Sequence, residues 1–162
     1  MDRLISEVRA SLEAGMFLLA LQGSLALVDI CGGLSAADGV ASGANFRRWF
    51  KSNPGKAYPR ISPDDVWHLR CGILHQGRAK SKNYDALFFT LPDGRGNTVR
   101  EAYLNNAVSL DLVMFCTVVL DAVDSWWRRS QLDSPVRENA QHVVQVRPDG
   151  LPPYILGLPV LG

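Results

Sequence analysis

From Leu4 onward the apolar positions Leu4, Ile5, Val8, Leu12, Met16 and Leu19 recur at the spacing of one helical face. The stretch from Met16 to Ile30 is apolar almost all round, so the pattern predicts one long first helix with a buried second half. Gly32 and Gly33 read as its stop, and the small, polar run 34–43 as a loop. A short helix then fits Ala44 to Ser52, with Phe46, Trp49 and Phe50 inward and Arg47, Arg48 and Lys51 outward; Asn53-Pro54-Gly55 ends it. Ser62-Pro63-Asp64-Asp65 is a strong helix start, with a capping serine, proline at the first helical position and acids at the positive dipole end. Ser62 and Asp65 also form a capping-box pattern. That helix is predicted to run to about Gln76, with Gly77 as its left-handed stop.

Tyr84 to Leu91 has strand-forming residues followed by the turn signal Pro92-Asp93-Gly94-Arg95-Gly96, so a small β-hairpin or irregular excursion is expected near 84–100. Ser109 is positioned to cap a last long helix in which Leu112, Phe115, Cys116, Val119, Val123 and Trp126 form one stripe and Asp124 faces Arg128 one turn on. Beyond Ser130 the periodicity fades, leaving an edge-strand pattern at Val143 to Val146 and an apolar end too rich in proline for a helix. The fold class expected is mainly α, with a helical domain over 1–130 and an irregular C-terminal tail over 131–162 packed on it or extending from it.

At 162 residues the chain has one domain's worth of length. With 47% hydrophobic and 20% charged residues it sits at the globular average, which excludes disordered, collagen-like and coiled-coil classes. No membrane span is expected, because Gly15 to Leu34 is interrupted by Gln22, Ser24 and Asp29, and Leu112 to Leu120 is far short of the roughly 20 residues a span needs. The first residues lack the pattern of a secretory signal, and the three cysteines, Cys31, Cys71 and Cys116, show no Cys-x-x-Cys spacing. A cytoplasmic chain with buried, reduced thiols is the resulting expectation.

The net charge of +1 conceals an asymmetry. Residues 44–82 hold nine Lys and Arg against Asp64 and Asp65, giving +7, whereas the segments before and after carry −3 each. Such a segment attracts phosphates if the fold gathers its side chains on one surface; otherwise it pairs with the acidic segments.

The helix at 63–76 carries the most informative residues. On a wheel, Val66, Trp67, Leu69, Ile73 and Leu74 form an apolar arc with Arg70 in its middle. A guanidinium keeps its charge on burial, so Arg70 requires an anion: an acid such as Asp29, Asp111 or Asp121, or a phosphate held bidentately. Asp64, His68, Cys71 and His75 line the opposite side. Cys71 and His75, one turn apart, are compatible with a shared zinc completed by His142 or carboxylates, but His68 and His75 are about 10 Å apart along the helix and cannot share one. His75 lies in the last turn, where free carbonyls favour the imidazolium and suit it to acid–base work.

Arg70 and His75, four residues between them in Leu69-Arg70-Cys71-Gly72-Ile73-Leu74-His75-Gln76-Gly77, resemble the Arg-x(4–6)-His signature of the HEPN superfamily. These are small helical proteins, many of them metal-independent endoribonucleases of toxin–antitoxin, CRISPR-associated and antiviral systems. The resemblance covers roughly residues 1–130 and implies a HEPN-like helical bundle acting as a homodimer in which two motifs share one cleft. It implies RNA as substrate, no cofactor, and an antitoxin or other protein as candidate partner. Arg70 and His75 are then the catalytic pair, and Arg47, Arg48, Lys51, Arg78, Lys80 and Lys82 the residues that hold the RNA backbone, with Trp49 and Tyr84 stacking on bases.

The position after the arginine, often polar in active members, is Cys71 here, which favours the alternative of a non-catalytic nucleic-acid-binding or protein-interaction module. Five residues also correspond to about 140° of rotation, so a regular helix is expected to keep Arg70 and His75 from facing one phosphate. Unwinding ahead of Gly77, or a second copy, is required to bring them together. In the dimer, Trp67, His68 and Cys71 are candidates for the subunit contact.

Overall fold

The single long first helix of the sequence reading is in fact two. A computed structural model, which describes residues 1–95 and 100–162, has α1 at Asp2–Glu13 and α2 at Phe17–Leu34, separated by a turn in which Gly15 has φ +72°. Periodicity runs through this break unaltered, because both helices turn apolar side chains to the same core. Helix α1 folds back on α2 and packs Val8 against Gly23, where a Cβ would lie 2.6 Å from a Val8 methyl carbon. Gly32 and Gly33 are not a stop: α2 continues through them to Leu34. They are contact points, since a Cβ on Gly32 would lie 3.0 Å from the backbone of Asn45 and one on Gly33 3.0 Å from that of Ala41.

Helix α2 is the axis of the fold, packed by α1, α3 (Gly43–Ser52), α4 (Pro63–Gln76) and α5 (Leu112–Ser130). By length and composition α2 is apolar enough to cross a membrane. Here it is the core helix, with Ala20, Leu21, Leu25, Leu27, Val28 and Cys31 all buried. The α3 face matches its prediction: Phe46, Trp49 and Phe50 are buried, and Ser42 caps the helix by accepting from Asn45 N–H at 3.2 Å. The α5 stripe is likewise buried, and Arg128 Nε donates to Asp124 at 3.1 Å. Its cap differs. Asp111, not Ser109, accepts from Met114 N–H at 2.7 Å, because Ser109 lies within a strand.

That strand belongs to a three-stranded sheet of which the sequence reading anticipated only the first strand, inside the strand-forming run Tyr84 to Leu91. Strand β1 (Ala86–Thr90) pairs in parallel with β3 (Ala107–Asp111), and β2 (Glu101–Leu104) pairs antiparallel with β3, giving the order β1-β3-β2. The β2–β3 turn is Asn105-Asn106, both with positive φ, a conformation asparagine tolerates better than other non-glycine residues. Residues 96–99 of the expected excursion, including Gly96 of the turn signal, lie outside the described residues.

After α5 the chain forms α6 (Val136–Asn139), a 3₁₀ turn at Ala140–His142 and two short ladders. Strand β4 (Val146–Arg147) pairs with β7 (Val160–Leu161), and β5 (Gly150–Leu151) with β6 (Ile155–Leu156). Val136 enters the core, and the Asn139 amide donates to Leu34 C=O at 3.1 Å and Ala36 C=O at 2.8 Å, tying this segment to the end of α2. The protein is mainly α-helical with small sheets.

Candidate active site

Helix α4 begins as its sequence predicts. Ser62 Oγ accepts from Asp65 N–H at 3.1 Å while Asp65 Oδ2 accepts from Ser62 N–H at 3.2 Å, so two otherwise unpaired backbone donors are satisfied reciprocally. It ends at Gly77, which is left-handed with φ +62°. From there residues 77–83 turn back along the helix as a strap. The Arg78 N–H donates to Gly72 C=O at 3.0 Å, and a Cβ on Gly72 would lie 2.3 Å from Arg78 O, so the strap crosses where α4 has no side chain.

Asp65 fastens the far end of the strap. Besides Ser62, it accepts from Ser81 Oγ at 2.7 Å, from the Lys82 and Asn83 N–H groups at 3.2 and 3.0 Å, and from the Asn83 amide at 3.1 Å. Burial pushes this carboxyl up, but the hydrogen bonds from Ser62, Ser81 and Asn83 outweigh it and hold the pKa at about 2.

Arg70 projects from α4 toward α2, where Asp29 meets its Nη2 as an ion pair. Of the three acids considered, Asp111 is occupied in capping α5 and Asp121 accepts from Arg9 at 3.0 Å, leaving Asp29 as the counter-charge. Burial raises the Asp29 carboxyl above its usual range, with Arg70 and then His75 pulling it down. The Arg70 side chain is 19% exposed and the Asp29 side chain 10%, so the pair lies at the edge of the core. Trp67 packs 5.3 Å below the guanidinium and the same distance from that of Arg47, its ring edge-on to Phe46.

Arg70 Nη1 lies 2.8 Å from His75 Nε2. The expectation that a regular helix would hold these residues apart is not met: α4 stays helical to Gln76, and the long arginine side chain covers the distance along its surface. The two side chains meet within one chain and without unwinding. A guanidinium only donates, so Nε2 is the acceptor and the ring is neutral with its proton on Nδ1. His75 is exposed, which leaves the pair open to solvent on one side. Arg70 Nε is buried without a hydrogen-bond partner among the described residues.

The basic residues divide into separate groups. Arg47 Nε and Lys82 Nζ meet at one carboxylate, 2.5 and 3.4 Å from the Asp64 oxygens, and the Arg47 hydrogen bond lowers the Asp64 pKa. Arg78 and Lys80 are exposed on the strap that crosses α4 at Gly72. Arg48 and Lys51 are exposed on α3, with Arg48 bonded to Asn45 at 3.2 Å, and no described contact joins them to the strap.

The proposed base-stacking platform is corrected. Trp49 is buried edge-on to Trp126 at 5.7 Å and is inaccessible to a base, while Tyr84 is half-buried against Tyr103, its hydroxyl donating to Arg60 C=O at 3.0 Å. Cys71 is half-buried, whereas Cys31 and Cys116 are fully buried; all three are free. His68 Nδ1 lies 2.8 Å from Asp64 C=O, and no three His, Cys, Asp or Glu side chains converge among the described residues. Sequence reasoning missed the sharing of Asp64 and the strap; the one available signal was a glycine inside a helix.

No protein-family model, curated protein or solved structure matches this chain. The chemistry of the site therefore rests on its geometry: a guanidinium oriented by a carboxylate on one side and touching a solvent-facing imidazole on the other.

Proposed function

We propose that the protein is a metal-independent endoribonuclease of HEPN type, acting as a homodimer with a defence or toxin role. The observation that carries this reading is the 2.8 Å contact between Arg70 Nη1 and His75 Nε2, which makes the Arg-x4-His signature one chemical unit. Asp29 holds one edge of the guanidinium, and an RNA phosphate takes over the Nη1 donor from His75. Nε2 then has its lone pair free and accepts the proton of the adjacent 2′-hydroxyl. The 2′-oxygen attacks phosphorus and the bond to the 5′-oxygen breaks. Arg70 stabilises the charge on the phosphoryl oxygens, the departing 5′-oxygen takes its proton from water, and His75 returns the proton it accepted to solvent. The products are a 2′,3′-cyclic phosphate and a 5′-hydroxyl. Arg78 and Lys80, exposed on the strap that crosses α4, supply charge for the backbone, with Arg48 and Lys51 extending it.

The test is to incubate the protein with a mixed RNA pool, and with the same sequences as DNA, in EDTA and to identify the termini formed. RNA cut to cyclic-phosphate ends with DNA left whole supports the reading; linear 3′-phosphates at the outset, or cleavage of DNA, rejects it, because DNA lacks the attacking hydroxyl.

A second reading, a non-catalytic HEPN-like nucleic-acid-binding or protein-interaction module, is favoured by the Arg70–Asp29 ion pair, which already gives Arg70 a structural counter-charge. It predicts RNA or protein binding with no cleavage.

A further inference from the structure

Trp67 is the only Trp, Tyr or Phe of α4, and its seat is built by one face of α3. Gly43, Phe46 and Arg47 are three and four residues apart, so they lie on the same side of that helix, and each meets the indole. Phe46 is buried and packs on the ring at 5.2 Å between centroids, tilted by 60°. Gly43 has no side chain where the ring passes: a Cβ there would lie 2.9 Å from Trp67 Cζ2 and 3.0 Å from Cε2. The Arg47 guanidinium carbon lies 5.3 Å from the ring centroid, and its Nε is tied to Asp64 Oδ1 at 2.5 Å. The Ser42 cap fixes the turn from which Gly43 starts.

The Arg70 guanidinium carbon lies 5.3 Å from the same ring, within the roughly 6 Å over which an indole attracts a cation. Asp29 meets its Nη2 and His75 its Nη1, so the guanidinium is held at two nitrogens and against one ring. When Nη1 leaves His75 for a phosphate, Asp29 is the one protein group still paired with it. A guanidinium held through a single nitrogen pivots about that contact. Arg70 Nε supplies no second anchor, being buried without a hydrogen-bond partner among the described residues. The indole is what opposes the pivot.

We propose that Trp67 is a positioning residue: seated by Gly43, Phe46 and Arg47, it holds the Arg70 guanidinium in place while Nη1 passes from His75 to the RNA phosphate. The inference rests on the ribonuclease reading for the step it serves, and the contact itself is measurable in the free protein. Displacing a catalytic group by about 1 Å costs up to about a hundredfold in rate. Substrate binding also draws on the exposed cations of the strap and α3, so the loss falls on kcat more than on KM.

The experiment compares the wild type with Trp67→Leu, Trp67→Phe and Gly43→Ala, each checked by a melting curve. Gly43→Ala displaces the ring while leaving Trp67, Arg70 and His75 in the sequence, and alanine for glycine does not weaken α3. Two readouts are taken: kcat and KM on one RNA oligonucleotide, and solvent exchange of the Arg70 Nε–H by ¹⁵N NMR without RNA. Trp67→Leu is expected to lose at least about tenfold in kcat with KM within about twofold, and its Nε–H to exchange at least about tenfold faster. Gly43→Ala moves both readouts the same way by at least about threefold, and Trp67→Phe, which keeps an aromatic face, stays within about threefold of the wild type. A folded Trp67→Leu with unchanged kcat, with unchanged exchange, or with a rise in KM alone overturns the proposal. If Trp67→Leu does not fold, Gly43→Ala decides by the same readouts. RNA left whole by the wild type rejects the ribonuclease reading, and the exchange arm then still decides whether Trp67 holds Arg70.

Discussion

Arg70 and His75, five residues apart on an unbroken helix, touch at 2.8 Å, and the same guanidinium is held from behind by Asp29 of the neighbouring helix. Three side chains from two helices thus form one connected unit in which the buried acid fixes the arginine and the arginine fixes the imidazole tautomer. Stability and chemistry are coupled there, and the two are separable by substitution.

Removing one partner of a mostly buried ion pair leaves the other uncompensated. Asp29→Ala is expected to lower unfolding free energy by about 3 kcal/mol, and Arg70→Ala by a similar amount. The double variant Asp29→Leu, Arg70→Met should recover most of that loss, since no charge is left buried. Urea denaturation of the four proteins measures this; additive losses in the double variant would show that the pair does not act as a unit.

Gly72→Ala ordinarily favours a helix by about 1 kcal/mol. Here the new methyl meets Arg78 O at 2.3 Å, so the strap must lift. The expected outcome is a net loss of about 1–2 kcal/mol with faster proteolysis at residues 77–83. Unchanged proteolysis would mean that the strap is not held against α4.

Asp65 has its folded-state pKa lowered from 3.8 to about 2. The native state therefore binds fewer protons than the unfolded chain, and the contribution of this group is fully present above about pH 4 and is lost as pH falls toward 2. The shift corresponds to about 2 kcal/mol, so Asp65→Asn should be less stable by that order at pH 7 and show a shallower loss of stability between pH 4 and 2. Equal pH profiles for the two proteins would contradict the assignment.

Asp64 neutralises both Arg47 and Lys82. If this surface meets RNA, Asp64→Asn releases two cations, raising affinity and steepening the dependence of log K on log salt by up to about 1–2. Fluorescence anisotropy with a short single strand across a salt series gives the slope. Weaker binding by Asp64→Asn would show instead that the carboxylate organises the surface.

The parts of the fold written in local pattern were legible in the sequence. Ser62-Pro63-Asp64-Asp65 and Gly77 bounded α4 correctly, because caps satisfy backbone groups within a few residues. What failed depended on distant partners. Gly32 and Gly33 read as a stop, yet they are where α3 and the preceding loop approach α2; only the backbones of Asn45 and Ala41 explain them. Ser109 read as a cap because its place in β3 is set by pairing with Phe88 and Ala102, remote in sequence. At the site, the wheel put Arg70 on an apolar arc and demanded an anion, with Asp29 among the three acids named. Its prediction that His75 would stay apart treated side chains as fixed radial vectors, and an arginine is long enough to lie along the helix surface.

Arg70 and His75 are proposed to cleave RNA together. The most direct measurement is the cleavage rate of an RNA pool in EDTA by the wild type and His75→Ala, each first shown by melting and sedimentation to keep the fold and oligomeric state of the parent. His75 is exposed at a helix end, so its substitution is expected to leave the fold intact and to reduce cleavage at least about a hundredfold. Cleavage retained by a folded His75→Ala protein, or none by the wild type, would contradict it.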